Sequence, residues 1–85
     1  MKVQRWEPTD ELFHDGEVAV LIRGSVVRLS ALSTAIYTLT EQPLDVDELS
    51  RELQSRFGVP PDSSTLQKTK DAVAELIRFG ILHRV

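Results

Sequence analysis

The residues order themselves as three short strands followed by three helices, and the third strand, residues 25–29, has no sequence neighbour left to pair with on its far side. Three strands need at least one open edge unless they close on themselves, and an open edge offers unpaired N–H and C=O groups to another chain. The 85 residues, 41% of them hydrophobic, support one compact domain over residues 1–85, burying roughly 60% of the unfolded surface. Such a core lacks the depth for an enclosed active site or a bound dinucleotide. A shallow peptide-binding groove is the functional surface this pattern leaves.

The chain has no cysteine, which removes disulfides, thiolate nucleophiles and thiolate metal sites together and fits a reducing, cytoplasmic setting. Lys2 and Arg5 are followed by no apolar export segment, and no apolar run approaches the ~20 residues of a membrane helix. Neither export nor a membrane partner is expected. Ten Lys and Arg against thirteen Asp and Glu give a net charge of −3, which speaks against tight non-specific nucleic-acid binding. The distribution is uneven: residues 41–65 hold six acids and two bases, residues 66–85 four bases and two acids. The last helix therefore suits a partner with some acidic residues.

Residues 2–7 alternate weakly and stop at Pro8, which cannot donate to a ladder; they are expected as the first strand, with Trp6 packing against the sheet. Residues 9–13 read as a polar connector, and His14, Asp15 and Gly16 as a turn. Residues 17–23 are β-rich and almost continuously apolar, which predicts the central strand, covered on much of both faces and flanked by strands one and three. Gly24 and Ser25 supply a tight reversal. In the third strand Val27 and Leu29 share one face, Val26 and Arg28 the other.

Ser30 is a plausible N-cap for a helix over 31–39, in which Leu32, Ile36 and Leu39 repeat at helical spacing, with Pro43 enforcing the stop. Asp45 with Glu48 has the spacing of a capping box, and Leu44 with Leu49 that of a hydrophobic staple. Leu49, Leu53 and Phe57 then form a buried stripe ended by Gly58, with Val59 covering the last turn. Residues 60–62 break the chain, and Ser64 with Gln67 opens a third helix over 65–79 that Gly80 closes. Its apolar arc is too broad for one contact. Ala72, Leu76 and Phe79 are expected to pack on the first two helices, while Leu66, Lys70, Val73, Ala74 and Ile77 face the sheet or line a groove beside strand three. Lys70 within that arc either snorkels from its margin or awaits a partner.

Taken in order, the run DGEVAVLIRGSVVRLS at 15–30, Ala35-Ile36-Tyr37, the stretch 44–49 with Leu53, Arg56-Phe57-Gly58, the stretch 71–76 and Gly80-Ile81-Leu82 resemble the PqqD-like family. These are leader-peptide-binding domains, or RiPP recognition elements, of pathways that modify ribosomally made peptides. The resemblance covers residues 15–82. It implies an α+β, winged-helix-like fold, a three-stranded antiparallel sheet followed by three helices, in which the leader of a precursor joins the sheet beside strand three. Carried over here, the peptide-binding residues are Val26, Val27, Arg28 and Leu29 on the strand and Leu66, Lys70, Val73, Ala74 and Ile77 on the third helix, with Leu29 also anchoring the core. It implies a discrete, non-catalytic adaptor serving a separate leader peptidase, cyclase or radical enzyme, in a lasso-peptide or radical-modified peptide pathway. A monomer or weak dimer is expected, because residues 8–13 are long enough for strand one either to pair within its own molecule or to swap into a neighbour.

A winged-helix DNA-binding regulator is the competing class. It fits less well, because the strands precede the helices and Asp71 and Glu75 sit among Gln67, Lys68, Lys70 and Arg78. For an enzyme, the two histidines, His14 and His83, lie near opposite ends of the chain without metal-ligand spacing. Asp45, Asp47 and Glu48 suit a helix N-terminus better than a catalytic pair. No catalytic residue, cofactor or metal ligand is expected.

Overall fold

The computed structural model describes residues 1–58 and 63–85, with side chains from Leu66 onward in the second stretch. Among the described residues the chain forms β1 (Lys2–Arg5), β2 (Asp10–His14), β3 (Glu17–Ile22), β4 (Ser25–Arg28), α1 (Ala31–Leu39), β5 (Leu44–Asp45), α2 (Val46–Phe57), α3 (Ser63–Arg78) and β6 (Leu82–Arg84). The α+β class is as expected: a three-stranded antiparallel sheet, β2-β3-β4, with three helices. A second small sheet, β5-β1-β6, is added to it.

Two tight turns decide which strands meet. Asp15 and Gly16 have φ 51° and 77°, and Arg23 and Gly24 have 50° and 78°. Positive φ at both central positions is the type I′ geometry whose twist matches that of the flanking strands. His14 thus pairs with Glu17, and Ile22 with Ser25. Residues 10–13, expected within a connector, and His14, expected in the turn, are pulled into the sheet as β2 by the first turn. The second reversal uses Arg23-Gly24 rather than Gly24-Ser25, so Ser25 opens β4.

With β2 and β4 occupying both edges of β3, β1 cannot flank it as expected. It pairs instead with β6 (Val3 opposite Arg84) and with β5 (Val3 opposite Leu44). The Arg5 N–H donates to the Thr40 carbonyl at 2.9 Å, which ties this sheet to the end of α1. Trp6 does pack on a sheet, stacking on His83 with ring centroids 3.8 Å apart, yet stays half exposed.

The core gathers Val18, Val20 and Ile22 from one face of β3 with Val3, Leu29, Ile36, Tyr37, Leu49, Leu53, Val73, Leu76, Ile81 and Leu82. The other face of β3 is only half covered. Ser30 caps α1 by accepting from the Ser33 N–H, and Asp45 caps α2 by accepting from the Asp47 N–H rather than that of Glu48. That bond, before all else, holds the Asp45 carboxyl below its usual range. Gly58 ends α2 in the left-handed conformation, as expected. Phe57 and Phe79, expected to pack inward, are instead 47% and 51% exposed, whereas Leu53 and Leu76, a turn earlier, are buried. The expected roles of Val59, of residues 60–62 and of the Ser64 side chain lie outside the described residues; α3 itself begins at Ser63. Among the described residues no helix is long and apolar enough to cross a membrane.

The exit from α3 is a Schellman motif: the Gly80 N–H donates to the Ile77 carbonyl at 3.0 Å and the Ile81 N–H to that of Leu76 at 2.9 Å. Gly80 has φ 77°, and a Cβ there would stand 3.4 Å from the Arg23 guanidinium carbon. Gly80→Ala is expected to cost about 1–2 kcal/mol for its left-handed backbone, read as a lowered midpoint in thermal or urea unfolding.

One polar cluster joins both sheets to α1. The buried Tyr37 hydroxyl donates to the Glu11 carboxylate of β2, while the Arg5 guanidinium of β1 lies 4.4 Å from the Tyr37 ring centroid. Burial, reinforced by the bond to Glu11, pushes the Tyr37 phenol above its ordinary value. A phenol raised in the folded state contributes stability that is intact below the unfolded value of about 10 and is lost as pH rises beyond it. Stability should therefore fall with pH above about 10, and Tyr37→Phe should flatten that slope in urea titrations at successive pH values.

Candidate peptide-binding edge

The I′ turn at Arg23-Gly24 starts β4 with an internal hydrogen bond between Ile22 and Ser25. Antiparallel ladders alternate, so every second residue of β4 turns its backbone toward β3. The Leu29 N–H donating to the Val18 carbonyl at 2.8 Å confirms the phase. Ser25, Val27 and Leu29 are thus engaged with β3. The N–H and C=O groups of Val26 and Arg28 point the other way, along an edge of the sheet that no described strand covers.

Side chains follow the same alternation. Val27 is half buried and Leu29 is 3% exposed against the core, whereas Val26 is 72% exposed on the outer face. Leu29 therefore anchors the core, the role already expected of it. Arg28 lies 3.6 Å from Glu17 across the outer face, an exposed pair of little energetic weight. The end of the strand is fastened by Thr34 of α1, whose buried hydroxyl accepts from the Val18 N–H at 3.0 Å and reaches the Leu29 carbonyl at 3.4 Å. It supplies the next rung where the ladder runs out.

The α3 residues are placed differently from one another. Val73 is 1% exposed and belongs to the core, Ile77 and Leu66 are half buried, and Lys70 and Ala74 are exposed. Lys70, Val73, Ala74 and Ile77 do line one cleft, of about 500 Å³. Its remaining wall is Met1, Val46, Asp47 and Arg84, not β4. The expected groove with these residues facing strand three is thus not the cleft they line. The physical reason is the C-terminal segment: after Gly80 the chain turns back as β6 and brings Arg84 to that flank of α3. The Arg23 guanidinium, from the turn before β4, lies close to Gly80 at the exit of α3.

Sequence reasoning missed the outer face of the sheet. Leu12, Ala19, Leu21 and Val26, with Asp10 and Glu11, surround a shallow cleft of about 260 Å³ that runs across β2 and β3 to Val26 of β4. The signal was present in Asp15-Gly16: a two-residue turn before a strand demands an equal strand ahead of it. The second open edge, that of β2, is partly closed, because the Asp10 carboxylate accepts from the Glu11 N–H at 2.8 Å.

Comparison of the chain with protein-family models, curated proteins and solved structures finds no match. The resemblance to PqqD-like domains therefore rests on the residues quoted above.

The phase of the ladder has a direct readout. In hydrogen exchange of the free protein, the Val27 and Leu29 amides are expected to exchange slowly and those of Val26 and Arg28 fast; the reverse order would mean that β4 exposes its other set of groups.

Proposed function

We propose that the chain is a non-catalytic adaptor that binds the leader region of a ribosomally synthesised precursor peptide by strand addition to β4 and presents it to separate modifying enzymes. The observation that carries this reading is the open β4 edge, where the backbone groups of Val26 and Arg28 face outward. In strand addition such groups set register and affinity, while pockets beside the strand select side chains. On the outer face Val26 borders an apolar cleft shared with Leu21 and Leu12. The winged-helix-like arrangement and the lasso or radical-modified pathway belong to this reading through the family resemblance, and the cytoplasmic setting through the lack of cysteine. Tethering would act by raising the precursor's effective concentration near its enzyme.

The test is an NMR titration of the ¹⁵N-labelled protein with the N-terminal half of a precursor peptide encoded beside it, a short duplex DNA serving as control. Saturable shifts over residues 25–30 are expected. Val26→Pro removes one outward N–H while sparing the bonds to β3, a placement an edge strand tolerates, and should weaken binding about tenfold. Val73→Asp would test the core rather than the site. Unchanged affinity in a folded Val26→Pro protein, or shifts along α3 with DNA alone, would overturn the reading.

A further inference from the structure

Strand β2 is exposed at every residue, and it carries two large apolar side chains, Leu12 at 69% and Phe13 at 52%. A single exposed apolar residue needs no explanation. Here two consecutive ones point to opposite faces of the same edge strand, Leu12 outward with Ala19 and Phe13 inward with the buried Val18. A partner lying on one face could cover only one of them. A strand laid alongside flanks both.

We propose that the occupant is a second copy of this chain, its β2 pairing antiparallel with the first about a twofold axis at Leu12, so that two three-stranded sheets become one of six. The edge is a different one from that of the peptide reading, and the two share Leu12, which borders the outer-face cleft. The I′ turn makes His14 and Glu17 a hydrogen-bonded pair, so by alternation Leu12 also faces β3. Glu11 and Phe13 then turn their backbone groups outward. Antiparallel self-pairing must match these outward residues with each other, which leaves three registers. Glu11 on Glu11 opposes like charges, and Phe13 on Phe13 overlaps only residues 12–14. Glu11 on Phe13 uses all five residues of the strand.

The last register is also the one with complementary chemistry. Leu12 meets Leu12 at the axis, and Asp10 stands opposite His14 of the second copy. Both groups are now occupied locally: the Asp10 carboxylate accepts from the Glu11 N–H at 2.8 Å, and His14 Nε2 lies 3.1 Å from the Asp15 carboxylate. On pairing, the Phe13 carbonyl of the second copy takes the Glu11 N–H and releases Asp10 to accept from the opposite imidazole. The Glu11 carboxylate keeps its bond to Tyr37, which lies on the inner face. The β4 edges are left free at the two ends of the joined sheet.

Light scattering coupled to size exclusion, from micromolar to millimolar protein, tests this. The wild-type mass should rise from 9.6 kDa toward twice that value, and the Glu11 and Phe13 amides should become protected as it does. Phe13→Pro removes the outward N–H without touching the ladder to β3 and should hold the mass at one chain, while Val26→Pro should still associate. If Phe13→Pro does not fold, Leu12→Lys decides on the same readout, since it sets two ammonium groups against each other at the axis. A wild-type protein that stays at one chain at millimolar concentration overturns the proposal. So does association that survives in folded Phe13→Pro or Leu12→Lys, or that Val26→Pro alone abolishes.

Discussion

A strand has two hydrogen-bonding edges, and in β3 both are taken by neighbours that two-residue turns deliver. Everything else in the molecule adjusts to that saturation. β1 is displaced and must find partners at residues 44–45 and 82–84. β2 and β4 become the outer strands, so the edge proposed for the peptide and the edge proposed for self-association are two results of one constraint. The helices then cover one face of the meander and leave the other to solvent.

What could be read from the residues was whatever local chemistry determines. The apolar run of β3, the Ser30 and Asp45 caps and the glycines that end α2 and α3 each carry their cause within a few positions. β4 with its open edge was legible for the same reason. β2 was not, because Asp10, Glu11, Leu12 and Phe13 lack polar-apolar alternation; the turn after them, not their own pattern, makes them a strand. β6 was hidden too, since residues 82–84 form a strand only by meeting β1 from across the chain.

The candidate site divides along the same line. The backbone direction of Val26 and Arg28 follows from a local turn, so the strand half was accessible to sequence reasoning. The helix half was not. Helical periodicity separates the arc of Leu66, Lys70, Val73, Ala74 and Ile77 from the polar side of α3 but cannot say which neighbour each flank meets. That depended on the Schellman exit at Gly80, which sends β6 back beside the same flank. Phe57 and Phe79 show the same limit, as apolar spacing put them in line with the buried Leu53 and Leu76 yet they stay exposed near the helix ends.

The pairing of β1 with β6 has a consequence for how the chain is made. Contacts within β2-β3-β4 join residues close in sequence, and their loops close at little entropic cost. The sheet β5-β1-β6 joins Val3 to Arg84. On the ribosome the meander can assemble while synthesis continues, but Val3, which ends fully buried, must wait for residues 82–84 to emerge. Until then β1 has only the short β5 to pair with.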